Sequence, residues 1–165
     1  PDSVDICFLP HGNYQKLVVE EMKGKPKTGN IVTEDGEVLG KHNGLFNYTI
    51  GQRKGLGIAY KHPLYVIGFN GDRNEVIVGP NERLFTNRMI CKFYNFLDDT
   101  IHKELKAEGK IRYAANPSPC TARILDDDTM EVIFEEPQRA ITPGQSVAFY
   151  NGTQLLGGAV IDRVC

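Results

Sequence analysis

Cys120-Thr-Ala-Arg-Ile-Leu-Asp-Asp-Asp-Thr-Met-Glu-Val-Ile-Phe134 is the stretch on which the fold turns. Cys120 to Leu125 and Met130 to Phe134 read as two short strands, and Asp126 to Thr129 reads as the tight turn that joins them. The same grammar extends in both directions. Upstream, Met89 to Phe96 and Leu105 to Tyr113 are strand-like. Downstream, Thr142-Pro-Gly-Gln145 is a turn, Ser146 to Tyr150 a strand, Asn151-Gly152 a tight connection and Leu155 to Arg163 a last strand. Six short strands at close spacing predict a small closed barrel, because closure removes the edges that they would otherwise expose.

Gly79-Pro80-Asn81 is a turn signal that separates this run from a different first half. There, Tyr14, Leu17, Val18 and Met22 share a helical face, with Asn13 as cap and Gly24 and Pro26 as stop, which predicts one short amphipathic helix. Two hairpins follow. Asn30 to Thr33 and Glu37 to Leu39 flank an Asp35-Gly36 turn, and Leu64 to Phe69 and Glu75 to Val78 flank Asn70-Gly-Asp-Arg-Asn74. Between the hairpins, residues 40–57 carry Gly40, Gly44, Gly51, Gly55 and Gly57, so tight turns are expected there. The expected class is mainly β: a small β-rich domain over residues 11–80 with one short N-terminal helix, then a six-stranded antiparallel barrel over 81–165.

The chain has 165 residues, 41% hydrophobic and 24% charged, enough for one ordinary domain or two small ones. Its formal charge of -2 argues against blanket polyanion binding, while leaving room for a local basic patch. No apolar run approaches the roughly 20 residues needed to span a bilayer, and no signal pattern opens the chain, so a soluble, cytoplasmic protein is expected. Cys7, Cys91, Cys120 and Cys165 are far apart and match neither zinc-ligand spacing nor a disulfide framework. No metal site is expected.

Gly51-Gln-Arg-Lys-Gly-Leu-Gly57 sets Arg53 and Lys54 between glycines that admit a ligand or another backbone. It lacks the Lys-Ser/Thr pair and helix of a phosphate-binding P-loop. A plain turn with solvated charges is the competing reading. Cys7, in Val4-Asp-Ile-Cys-Phe-Leu9, reads by itself as a small buried hydrophobe. An ordinary thiol has a pKa of roughly 8.5, and Asp5 and Asp2 would raise it, so activation has to come from elsewhere. Arg112 and Tyr113 offer a guanidinium and a ring, yet adjacent strand residues face opposite sides. Both serve one RNA only at a strand end or in the following Ala-Ala-Asn-Pro loop; otherwise an exposed Arg beside a core Tyr is the simpler reading. His11, His42, His62 and His102 read as surface or packing residues, and Asp126 to Asp128 as a solvated turn.

Asp5-Ile-Cys-Phe, Gly29-Asn-Ile-Val, Asp35-Gly, Gly40-Lys-His-x-Gly-Leu, Tyr48-Thr-Ile-Gly-Gln-Arg-Lys-Gly-Leu-Gly-Ile58 and Thr142-Pro-Gly-Gln-Ser146 together resemble, in order and spacing, the tRNA-specific 2-thiouridylases. The resemblance implies a transferase that makes 2-thiouridine at the wobble position. In that family an N-terminal PP-loop domain uses ATP and magnesium to adenylate the uridine, and a persulfide then delivers sulfur. It implies further that Cys7 carries the persulfide, and that Arg112, Tyr113 and Gln145 contact tRNA. Arg53 and Lys54 take an RNA-backbone or domain-packing role, in a loop shaped by Gly51, Gln52, Gly55 and Gly57. Residues 1–10 would then be the end of a catalytic domain. The Ser-Gly-Gly-x-Asp-Ser nucleotide loop is absent, so the chain by itself is expected to be inactive and to bind no cofactor. Implied partners are the glutamate, lysine and glutamine tRNAs, a sulfur-relay or cysteine-desulfurase donor, and the PP-loop domain. The competing class is a non-catalytic RNA-binding barrel module in which Cys7 is structural. A methyltransferase reading lacks the βαβ unit with a Gly-rich first turn that a methyl-donor cofactor needs.

Overall fold

The computed structural model describes residues 19–20, 26–98, 101 and 103–165. The expected helix therefore lies outside the described residues except for Val19 and Glu20, which are helical. Cys7 and the expected segment 1–10 lie outside them as well. The chain divides into two units that meet at Pro80 and Asn81.

In the first unit, β1 (Gly29–Thr33), β2 (Val38–His42), β3 (Tyr65–Asn70) and β4 (Glu75–Gly79) form one sheet in the order β2-β1-β4-β3. Each expected hairpin is present, and the two are joined by a parallel pairing of β1 with β4, from Asn30 opposite Glu75 to Thr33 opposite Val78. Ile31, Val66, Val76 and Val78 are fully buried and, with Leu56 and Leu64, make this unit's core. Within the glycine-rich stretch between the hairpins, where tight turns are expected, Leu45–Asn47 make a single 3₁₀ turn. Gly44, at φ 111°, admits the backbone there, and a Cβ on it would stand 2.5 Å from the Phe46 ring.

The second unit is the closed barrel. β5 (Phe85–Phe96), β6 (Glu104–Lys110), β7 (Ser118–Ile124), β8 (Thr129–Arg139), β9 (Ser146–Asn151) and β10 (Gln154–Val164) close in the order β10-β5-β8-β7-β6-β9. Every pairing is antiparallel. Alternate residues point inward: Met89 and Cys91, Cys120 and Ala122, Met130, Val132 and Phe134, Val147 and Phe149, Ala159 and Ile161. Gly109 on β6 leaves the space that Phe134 fills, since a Cβ there would stand 2.8 Å from its ring. Outside the barrel, Arg88 binds Glu131 (2.6 Å), Arg123 reaches the same carboxylate (3.6 Å) and Arg123 also binds Glu104 (3.1 Å), so one line of charge crosses four strands.

Barrel strands differ from expectation at their ends, by one or two residues in β7 and β10 and by more in β5, β6 and β8: β5 begins at Phe85 rather than Met89, where it pairs with the extended end of β8. β8 runs on to Arg139 because a bulge, between Ile133 opposite Arg88 and Gln138 opposite Thr86, absorbs Pro137, which cannot donate to a regular ladder. β6 stops at Lys110 instead of Tyr113, since its partner β7 begins only at Ser118 and the Ala115 N–H turns back to the Arg112 carbonyl (3.1 Å).

Candidate nucleic-acid interface

The end of β6 releases Arg112 and Tyr113 from the sheet. The Arg112 guanidinium donates to the Arg139 carbonyl at the end of β8, and Arg139 in turn donates through Nε to Asn81 Oδ1 (3.2 Å). Tyr113 is 78% exposed, which corrects the reading of a core tyrosine. The Lys110 ammonium stands 5.3 Å from the centre of the Tyr113 ring, close enough for a cation–π contact. Lys110 pairs opposite Ala148 on β9, so the outgoing end of β6 lies beside the turn that leads into β9. Gln145 occupies that turn. Its N–H donates to the Thr142 carbonyl (3.2 Å), its carbonyl accepts from Ile161 (2.8 Å), and its side chain is exposed. Arg112, Tyr113 and Gln145 therefore share one end of the barrel, with Lys110 as a fourth member. Lys110 escaped the sequence reading because a lysine on a strand carries no signal until the strand's end is known.

Arg53 and Lys54 belong to the other unit. Gln52 organises their loop: its Oε1 accepts from the Thr49 N–H (3.0 Å) and its Nε2 donates to the Lys54 carbonyl (2.9 Å). Gly51, Gly55 and Gly57 have φ of 89°, 79° and 68°, a region that costs glycine little and other residues more. Arg53 and Lys54 are exposed, while Leu56 is buried beneath them. The two cations thus sit on a backbone that is anchored rather than merely turned.

The two buried cysteines, Cys91 and Cys120, offer little nucleophilic chemistry. Burial, with Asp162 and then Cys120 adding to it, pushes the Cys91 thiol up to about 12. Burial likewise pushes Cys120 up to about 11 against a hydrogen bond from Gly109 that lowers it. Both belong to the barrel core, and Cys165 is exposed. His42 is a packing residue, as read: its Nδ1 accepts from the Gly44 N–H (3.1 Å), which leaves Nε2 to donate to the Asn74 carbonyl (3.0 Å). Asp126 Oδ1 accepts from the Asp128 and Thr129 N–H groups, and these bonds, the Asp128 one foremost, hold its carboxyl below the usual range. Among the described residues no three His, Cys, Asp or Glu side chains gather to hold a metal. Among them, no glycine turn leads from a strand into an α-helix. No helix among them is long and apolar enough to cross a membrane.

Two family models match: the tRNA methyl transferase PRC-barrel domain over residues 17–80 and the aminomethyltransferase beta-barrel domain over residues 86–161. The chain is 44% identical to the tRNA-specific 2-thiouridylase MnmA of Clostridioides difficile (strain 630), over 99% of its own length and 45% of that protein's. It is equally similar to the protein of that name from Carboxydothermus hydrogenoformans, at 44% identity and the same two shares. It is 45% identical to MnmA 1 of Clostridium tetani, again over 99% of the chain and 45% of the relative. The chain thus spans somewhat less than half the length of the curated relatives it matches.

Proposed function

This chain belongs to the tRNA-specific 2-thiouridylase family, and on that premise we propose that it is the tRNA-holding part of a tRNA-uridine 2-sulfurtransferase, with Cys7 as its sulfur carrier. One observation carries the RNA reading. The end of β6 frees Arg112 and Tyr113, next to its last residue Lys110 and beside the turn that bears Gln145, giving a guanidinium, an open ring, an ammonium and an amide at one barrel end. Those groups suit a folded RNA: the cations meet phosphate, the ring accepts an unpaired base, and the amide reads a base edge or ribose. Arg112 is held by the Arg139 carbonyl, so part of its ordering is complete before RNA arrives.

In this reading the ATP-dependent activation of the uridine belongs to the PP-loop domain, the outer sulfur of the Cys7 persulfide attacks the activated C2 as AMP leaves, and the thiol of that domain's cysteine then attacks Cys7 Sγ, breaking the S–S bond to leave 2-thiouridine and a disulfide. The acceptors are the glutamate, lysine and glutamine tRNAs, the donor is a sulfur-relay protein or a cysteine desulfurase, and the compartment is the cytoplasm. The word methyl transferase in a family description gains no support from the described residues, which form no βαβ nucleotide unit.

The test is a titration of unmodified glutamate tRNA, read by fluorescence anisotropy at low and physiological salt. Arg112→Ala is expected to weaken binding by about 1–3 kcal/mol. Absence of wild-type binding even at low salt defeats the RNA reading of this chain. For the sulfur role, thiolation retained by the full-length Cys7→Ser enzyme defeats the carrier assignment and favours the non-catalytic module.

A further inference from the structure

The irregular stretch between Gln52 and Val66 is closed at its base. The Gly51 N–H donates to the Val66 carbonyl (2.8 Å), and the Val66 N–H donates to the Gln52 carbonyl (2.9 Å). Loops with joined ends of this kind pack on their own side chains and frequently bear function. Leu56 and Leu64 are sunk into the core of the first unit, and Ile58 and Tyr60 pack against that core, so the loop is fixed at several points along its length. Between those anchors it encloses an open groove of ≈ 500 Å³.

The groove has a definite chemistry. Arg53, Tyr60, Lys61 and His62 line it, and no carboxylate does. The Tyr60 and His62 rings meet edge to face with centres 4.9 Å apart, and the Lys61 ammonium stands 5.6 Å from the Tyr60 ring centre. Among the described residues neither Arg53 nor Lys61 is engaged in an ion pair. Cations beside flat rings, over an apolar floor, suit a ligand with one anionic and one planar aromatic part. An acidic peptide would use the cations and leave the rings idle.

We propose that this groove is a second RNA-contact site, which holds one unpaired nucleotide with its base against Tyr60 and His62 and its phosphate between Arg53 and Lys61. The base has to be unpaired, because a duplex offers its ring faces to neighbouring bases and not to a protein side chain. Orientation follows from a neighbouring hollow that shares Tyr60, Lys61 and His62 but carries Asp35 and Glu37, carboxylates that disfavour phosphate there, while Arg53 lines only the groove. The inference rests on the RNA reading above and adds to it a site in the other unit.

The test uses the whole 165-residue chain with two labelled probes, a single-stranded heptaribonucleotide and an unmodified tRNA. Lys61→Gln changes an exposed side chain and is expected to leave thermal unfolding as it was. It should lower the slope of log affinity against log salt for the heptamer by about 0.7, the share of one single-strand phosphate. Tyr60→Leu is expected to weaken the heptamer by about 5- to 150-fold, the effect of losing one stacked base. Because Tyr60 packs on the core, His62→Gln at the exposed partner ring serves as the second stacking variant, with weakening in the same direction. Unchanged heptamer binding and salt slope in all three variants, alongside a weakened Arg112→Ala tRNA complex, overturns the groove and leaves the barrel site standing. A polyglutamate peptide that displaces the heptamer at equal charge concentration overturns the nucleotide assignment in favour of an acidic protein ligand. A wild-type chain that binds neither RNA overturns the groove and the RNA reading together.

Discussion

Cys91 and Cys120 tie packing to pH. In an unfolded chain such thiols ionise from about 9.0, whereas in the barrel they keep their protons to about 12 and 11. Below pH 9 both states are protonated and the contribution is fully present. As pH rises from 9 toward 11 and 12 only the unfolded state loses protons, so stability falls. A urea midpoint that declines between pH 8.5 and 10.5, and declines less steeply in Cys120→Ala, is the expected result. Gly109 is the other residue on which the barrel closes. Gly109→Ala places a methyl 2.8 Å from the Phe134 ring and 3.0 Å from Cys120 Sγ. Overpacking of this kind costs about 1–3 kcal/mol, to be seen as a lowered thermal midpoint. Sequence showed a glycine in a strand; it did not show which ring needed the space.

At the scale of elements, one imidazole adds to the β1–β4 ladder that joins the two hairpins of the first unit. His42, at the end of β2, bridges the Gly44 N–H and the Asn74 carbonyl of the β3–β4 turn. Asn74, at φ 53°, also donates through its side chain to the Thr28 carbonyl (2.9 Å). His42→Phe preserves a ring but orphans a donor and an acceptor, each costing about 1–3 kcal/mol when buried. Equilibrium unfolding of the variant is expected to show the first unit destabilised with the barrel transition in place. The sequence reading found both hairpins because turn chemistry is local. It had no access to the parallel β1–β4 pairing, which joins residues more than forty positions apart with no turn between them to announce it.

For the molecule as a whole, a net charge of -2 sits with two cationic surfaces, one in each unit: Lys110 with Arg112, and Arg53 with Lys61. Each unit has a core of its own, so residues 81–165 produced alone are expected to unfold cooperatively, in a single transition reported alike by circular dichroism and tyrosine fluorescence. A non-cooperative melt would mean that the barrel depends on the first unit.

By itself the sequence determined the two hairpins, the closed six-stranded barrel and the glycine-shaped cationic loop, because alternation and turn residues act over a few positions. Its motifs also carried the family. What tertiary structure alone decided was which side chains meet. β6 stops at Lys110 only because β7 starts late, and that single boundary turns Tyr113 from an expected core ring into an exposed one and gathers it with Arg112 and Gln145. The groove of Tyr60, Lys61 and His62 exists only because Gln52 and Val66 are bonded across the base of their loop. Such juxtapositions depend on pairing between distant segments, whose cost in chain entropy is repaid by the fold as a whole and by no local run of residues.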